Sequence, residues 1–398
     1  MGRRQGAPIH PVDRLPALAS AVMLTGIGAL GFNVLPLLLG TAADVFGSDE
    51  RRLGLLGSLF ISGKTIMFIA LIVLARRLNW RIACSVLCIA QCIAFLTATR
   101  VGDFALVAAA LFIAGFCLGG LFGLGTISIA DTRNPDRNFG WATLAQVGAG
   151  AFLAYFLSTA IIPAWGFNGI LTALAASALA GILLARGMAP SGVTGPGRTG
   201  NSSGSRIVPV AGLVGLATFY LGVGAVWAFL ERIALAGGLT REFVGTAVSG
   251  ALIAGGLSCL VPVLLADRIG RRLPIAISAC GLCLAIALFA ANLAEAGFLA
   301  TALTFNALWT IMAIYAIAVI SVQDPTGWYV VAIPATLGIG QAIGPLAGGF
   351  TVASFGITGL CAMAVLMVLI SLGIFLSITR ERRKPEESTG PVPGPAKP

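Results

Sequence analysis

The chain has 398 residues, 58% of them hydrophobic and only 10% charged. Soluble globular domains carry about a quarter charged residues, so a water-soluble enzyme is excluded, and the length leaves room for about a dozen bilayer-spanning helices and little else. The net charge of +10 does not indicate nucleic acid, because the basic residues punctuate apolar runs and form no patch interleaved with aromatics.

In chain order, a basic tail over 1–14 carries Arg3, Arg4 and Arg14. The apolar run after it exceeds the roughly 7–15 residues of a signal-peptide core and is expected to stay as an anchor. Apolar stretches bounded by charge, Pro and Gly predict spans at 15–39, 52–75, 82–99, 104–130, 139–161 and 168–185. A second set follows at 208–232, 243–265, 273–293, 298–320, 328–353 and 357–379. The expected organisation is a six-helix bundle over 15–186, a Gly-, Ser- and Pro-rich cytoplasmic linker over 187–207, a second six-helix bundle over 208–379 and a charged, Pro-rich tail over 380–398 without residues to build a core.

The positive-inside rule sets the expected orientation. Arg76, Arg77, Arg81, Arg133, Arg137, Arg186, Arg271 and Arg272 fall on the side of the N-terminal tail, as do Arg380, Arg382 and Arg383. The other side holds Arg51, Arg52, Arg100, Arg232 and Arg241. Both termini are therefore expected in the cytoplasm. The eight cysteines lie inside apolar stretches, where Cys behaves as a small hydrophobe, and the pair Cys280 and Cys283 has no second pair or histidine beside it. His10, in the tail, is the one histidine. No metal site, cofactor or histidine-based catalysis is expected, and without a GxxxxGK[ST] loop neither is direct ATP-driven pumping.

The two halves resemble each other. A shift of 191 residues places Gly54 on Gly245, Ser58 on Ser249, Ala75 on Ala266, Arg77 on Arg268 and Arg81 on Arg272. A shift of 193 aligns Ala142-Thr143-Leu144 with Ala335-Thr336-Leu337, and Gly166 and Gly169 share their spacing with Gly356 and Gly359. Duplication of a six-span unit implies two bundles about a pseudo-twofold axis along the membrane normal, with a site between them at mid-depth.

Between spans eight and nine, Ala266-Asp267-Arg268-Ile269-Gly270-Arg271-Arg272 resembles the G-x-x-x-D-R-x-G-R-R/K loop of the major facilitator superfamily, and the chain is similar to that family from the first span to the twelfth. The resemblance implies an all-helical integral membrane fold of twelve transmembrane helices in two pseudo-symmetric bundles. It also implies a cytoplasmic gate in which a carboxylate meets the positive end of a neighbouring helix; the alternative for the arginines alone is topology. The first-half copy departs from the pattern, with Arg76 where the family places Asp and Asn79 where it places Gly. Asp324 is the partner expected for Arg76. Span eleven carries Gly344-Pro345-Leu346-Ala347-Gly348-Gly349, a bending element or ordinary small-residue packing. The glycines of span four, Gly115, Gly119 and Gly123, fit close helix packing.

Lys64 lies about 12 residues from either end of its span, roughly 18 Å from each interface and too far to snorkel. A charge at that depth marks a functional site by default. It is read as an anion-binding group in a central cavity, with a structural lysine as the alternative. Glu231, beside Arg232, either lines the outer vestibule or sits at the membrane interface. Asn33, Gln91, Gln146, Asn306 and Gln341 are polar residues within spans; the resemblance puts Asn33 and Asn306 on cavity-lining helices, Gln146 and Gln341 occupy related positions in spans five and eleven, and each of the five can bond a ligand or a neighbouring helix.

The expected function is a secondary transporter of a small organic solute working by alternating access in the bacterial inner (plasma) membrane, as a monomer in the lipid bilayer. Lys64 suggests an anionic substrate, and the resemblance implies the proton as coupling ion. Efflux of an amphipathic drug or metabolite is the nearest alternative. A non-transporting sensor and an integral-membrane enzyme are the rivals of another class; the enzyme lacks converging carboxylates with a histidine.

Overall fold

The computed structural model describes residues 10–47, 49–192, 207–265, 270–324 and 328–379. Among them every regular element is helical, and ten helical runs are long and apolar enough to cross a membrane. Two of these runs, Pro135–Ala185 and Tyr329–Ile378, are 51 and 50 residues long, about 75 Å if straight against a hydrocarbon core of about 30 Å. Each is broken at one glycine, Gly166 with φ 52° and Gly356 with φ 68°. That left-handed conformation is strained for any residue with a β-carbon. The twelve expected spans map onto the ten runs because these two carry a pair each.

Span ends follow local chemistry. Asp49 caps the second span by accepting from Arg51 N at 3.0 Å, Asn79 caps the third through Arg81 N at 3.1 Å, and Asp103 caps the fourth through Leu106 N at 3.0 Å. The first span is two helices, Leu15–Asn33 and Leu35–Phe46, meeting at Val34. Pro36 has no amide hydrogen, so the Phe32 carbonyl loses its usual helical donor. Trp227 Nε1, from the seventh span, donates to that carbonyl at 3.0 Å. One proline thus breaks a helix and opens an acceptor that ties the two repeats together. Pro334 and Pro345 break nothing, since Gly356 is the non-helical residue of their run. Gly344 lets the seventh span approach instead, with Leu221 O at 2.8 Å and Ala225 N at 2.9 Å from where a β-carbon would sit.

The fourth span, Phe104–Ala130, packs its glycines on the second, Glu50–Leu74. A β-carbon on Gly115 would collide with the Phe60 carbonyl, one on Gly119 would lie 2.7 Å from the Lys64 carbonyl, and one on Gly123 would strike Leu71. Backbone so close cannot yield as a side chain can. Gly115→Val should therefore destabilise the protein by at least the 1–3 kcal/mol typical of overpacking, roughly, whereas Gly148→Ala, which meets nothing within 4 Å, should leave the melting temperature unchanged; a thermal-shift assay in detergent compares the two.

The internal repeat reappears as contacts. Ser58 Oγ donates to Ala342 O at 2.6 Å and Ser249 Oγ donates to Ala151 O at 2.9 Å. Both donors and both acceptors are related by the same 191-residue shift. A β-carbon on Gly54 would meet Pro345 O and Gly349, and one on Gly245 would meet Ala154 O and Ser158, again equivalent under that shift. Spans two and eleven, and spans eight and five, therefore pack as matched pairs across the two repeats.

Candidate functional site

Spans two and eleven touch from Glu50 against Gly349 through Gly54 against Pro345 to Thr65 against Gly338, a length of about 22 Å. At this end charges from the two repeats interlock. Arg232 Nε donates to Glu50 Oε1 at 3.0 Å. Arg241 reaches Asp44 with both terminal nitrogens, at 2.7 and 3.1 Å, and gives its Nε to Glu231 Oε1 at 2.8 Å. Glu231 is 0% exposed, and its Oε2 has no hydrogen-bond partner. The carboxyl group rests on bare backbone at Gly40, where a β-carbon would overlap it. This end of the protein is shut by ion pairs over close-packed helices.

Beyond it lies a cavity of about 510 Å³, within the size range of small-molecule sites. Lys64, Asn33, Gln146, Asn306 and Gln341 all line it, so five residues from five different spans that the sequence nominated converge on one space. Lys64 is 9% exposed. Its Nζ sits 5.0 Å from the centre of the Phe122 ring, 5.4 Å from Phe32 and 5.7 Å from Phe68. Each contact contributes about 0.5–2 kcal/mol, against several kcal/mol for taking an ammonium out of water. Among the described residues no carboxylate lies within ion-pair distance of it. The rings hold the charge in place without neutralising it.

Facing the lysine, the second repeat contributes an aromatic wall. Trp309 stands edge-on to Phe32 at 6.1 Å, Tyr220 at 5.8 Å and Trp227 at 6.1 Å, while Phe32 stacks on Trp227 at 6.5 Å. Asn33 Nδ2 donates to the Gln146 carbonyl at 3.1 Å, which fixes that amide across spans one and five. Thr310 Oγ1 bonds the Asn306 carbonyl at 2.9 Å.

A second cavity of about 500 Å³ shares Phe68, Phe122 and Pro334 with the first and extends past Leu71 and Ile72 to Ala130, Phe139, Val330 and Val331. These residues lie at helix ends, where spans two and eleven have parted. The central cavity thus continues toward the arginine-rich end and is closed at the other. At the arginine-rich end Arg76 forms a two-toothed pair with Asp131, with Nη2 to Oδ1 at 2.9 Å. The hydrogen bond to Asp131 raises the pKa of Arg76 further above its already high value. Asp324, the partner expected from the sequence, accepts a hydrogen bond from Val330 N at 2.9 Å at the start of span eleven. Of the proposed gating loop, Asp267 and Arg268 lie outside the described residues; Gly270 has φ 62° and Arg271 precedes the helix Arg272–Phe289.

The structure does not bring Glu231 into the central cavity; Glu231 belongs to the ion-paired end. Sequence reading missed Asp44, Glu50, Asp131 and the aromatic set Tyr220, Trp227 and Trp309. The signal for the first two was present, since acids end span one and begin span two while arginines end span seven and begin span eight. The aromatic wall has no such signal, because Trp and Tyr within apolar runs read as packing.

No family model matches the sequence, and no curated protein matches it. Solved structures do. The chain is similar to the nucleoside transporter NupG (15% identity, TM-score 0.72, covering 92% of this chain and 100% of that one). It is also similar to a bacterial homologue of the human lysosomal transporter Spinster, in an inward-facing, unoccupied conformation (13% identity, TM-score 0.66, covering 91% and 96%) and in an occupied one (12% identity, TM-score 0.68). The likeness spans nearly the whole of each chain, and this protein shares its fold with these transporters.

Proposed function

We propose that the protein is a secondary transporter that moves a small organic anion by alternating access, with Lys64 as the binding charge and a proton gradient as the energy source. One observation carries this reading: a cavity at mid-depth holds a charge without a counter-ion, lies between two repeats, is sealed at one end and continues toward the other. A charge kept there at a cost of several kcal/mol needs a use. The neighbours, named as transporters of a nucleoside and of lysosomal type, favour the same class of function. With the arginine-rich end in the cytoplasm, as the positive-inside rule has it, this conformation is inward-facing, and opening the opposite end requires breaking the Arg232 and Arg241 ion pairs. Asn33, Gln146, Asn306 and Gln341 orient the solute. Arg76 with Asp324, and Asp267 with Arg268, Gly270 and Arg271, form the latch that closes the cytoplasmic side when the other opens, Arg76 being held until then by Asp131 of its own repeat.

The apolar character of the cavity wall favours an amphipathic solute over a sugar-like one. The test is flux in liposomes carrying the purified protein, with an imposed pH gradient and a panel of radiolabelled organic anions. Saturable flux abolished by a protonophore is expected. Binding of such solutes without any flux would mark a sensor instead.

A further inference from the structure

The cavity's charge balance and its walls restrict the solute further. This inference rests on the reading of the cavity as the transport site and names what that site takes. Among the described residues lining the cavity Lys64 is the one that carries a formal charge, and no Asp, Glu or Arg joins it. A zwitterion would bring a second ammonium for which the cavity supplies no carboxylate, a cation would be repelled by Lys64, and a dianion such as a phosphate monoester would leave one negative charge without a partner. A single negative charge is the one balance the cavity completes. One side of the remaining wall is aromatic, beside aliphatic residues such as Leu252, Ile314, Ile317 and Leu337: Phe32, with Trp227, Trp309 and Tyr220, forms a connected set of edge-to-face and stacked rings. A planar ring continues such a set, because ring quadrupoles favour another edge-to-face or offset contact over an aliphatic chain. Gln146 and Gln341 make no side-chain hydrogen bond among the described residues, so both amides are available to a polar edge on that ring. We propose that the cavity binds an aromatic or heteroaromatic monocarboxylate, its carboxylate on Lys64 and its ring against Trp309 and Phe32.

The test uses the purified full-length protein in detergent, with binding read by thermal shift and titration calorimetry. Indole-3-acetate and benzoate are compared with hexanoate (an aliphatic monoanion), phenylalanine (a zwitterion), benzylamine (a cation), phthalate (a dianion) and uridine (a neutral planar solute). Indole-3-acetate is expected to bind at least tenfold more tightly than hexanoate, with no measurable binding of phenylalanine, benzylamine or phthalate. Lys64→Gln should lose at least tenfold for indole-3-acetate, with part of the loss restored in Lys64→Arg. Trp309→Leu keeps the charge, so it should retain hexanoate binding and lose the preference for the ring, which separates the two halves of the inference should Lys64→Gln fail to fold. Equal binding of hexanoate and indole-3-acetate overturns the aromatic class while leaving the anion site standing. Binding of uridine or benzylamine, with neither aromatic monoanion bound, overturns the inference while leaving the transporter reading intact.

Discussion

Lys64→Met should abolish solute flux in proteoliposomes while leaving the melting temperature of the protein within a few degrees of wild type. The lysine has no carboxylate partner among the described residues and is surrounded by Phe32, Phe68 and Phe122. Methionine matches its stem and packs well against aromatic rings. Replacing a buried charge by an apolar side chain of similar volume is often neutral or stabilising, so the fold has little to lose. The ligand loses a great deal, because its own negative charge would be left buried and unpaired. Truncating one side of such a pair typically costs about 2–5 kcal/mol, or roughly 30- to several-thousand-fold in Kd. The two readouts separate function from structure: a variant that melts early yet still transports would make Lys64 a structural lysine.

Removing the ion pairs at the closed end should shift the protein toward its other conformation. In Arg232→Gln combined with Arg241→Gln, Glu50 loses its partner, Asp44 loses a two-toothed one, and Glu231 is left wholly buried with none. Breaking a buried pair from one side costs about 3–5 kcal/mol. The cost falls on the closed arrangement alone, since opening that end returns the carboxylates to water. A preference of even a few kcal/mol is enough to invert a two-state population. Hydrogen–deuterium exchange should rise at least tenfold in the helices Leu35–Phe46 and Leu230–Ala236 and fall around Phe139 and Val331, where the second cavity would close. Exchange unchanged at both ends would show that helix packing alone holds the closed end. Exchanging the charges of one pair in a chain that keeps Arg241, Glu50→Arg with Arg232→Glu, should leave the wild-type pattern in place.

Much of the helical architecture was legible because its determinants are local. Runs of apolar residues between Asp49, Asn79 and Asp103 caps announce their own beginnings, and Gly166 and Gly356 mark turns in a conformation few other residues adopt. The central cavity was legible for a related reason: a charge or amide within a span is costly enough to stand out singly, and Lys64, Asn33, Gln146, Asn306 and Gln341 did, whereas Gln91, equally conspicuous, donates to the Leu174 carbonyl and serves packing between helices. What the sequence conceals is pairing across the repeats. Glu231 was placed near the outer end, but only the fold shows that Arg241, ten residues on, turns back to it while reaching Asp44. Arg76 is a similar case, since Asp131 and Asp324 are equally plausible as carboxylates at span ends and only the packing of spans two and four brings Asp131 into contact. Trp227 was hidden by the indirectness of its role, which depends on a carbonyl freed by Pro36 in another span.

The charges that close one end are also distributed unequally in the chain. Asp44 and Glu50 belong to the first repeat, Arg232 and Arg241 to the second, and Glu50 and Arg241 are equivalent under the 191-residue shift yet opposite in sign. Two copies of the first repeat brought together in the same way would set carboxylate against carboxylate, and two copies of the second would set guanidinium against guanidinium. Self-association of either kind is penalised while the union of unlike halves is rewarded. Newly inserted chains lying side by side in one bilayer therefore carry, in four rim residues, a rule for which bundle each may embrace.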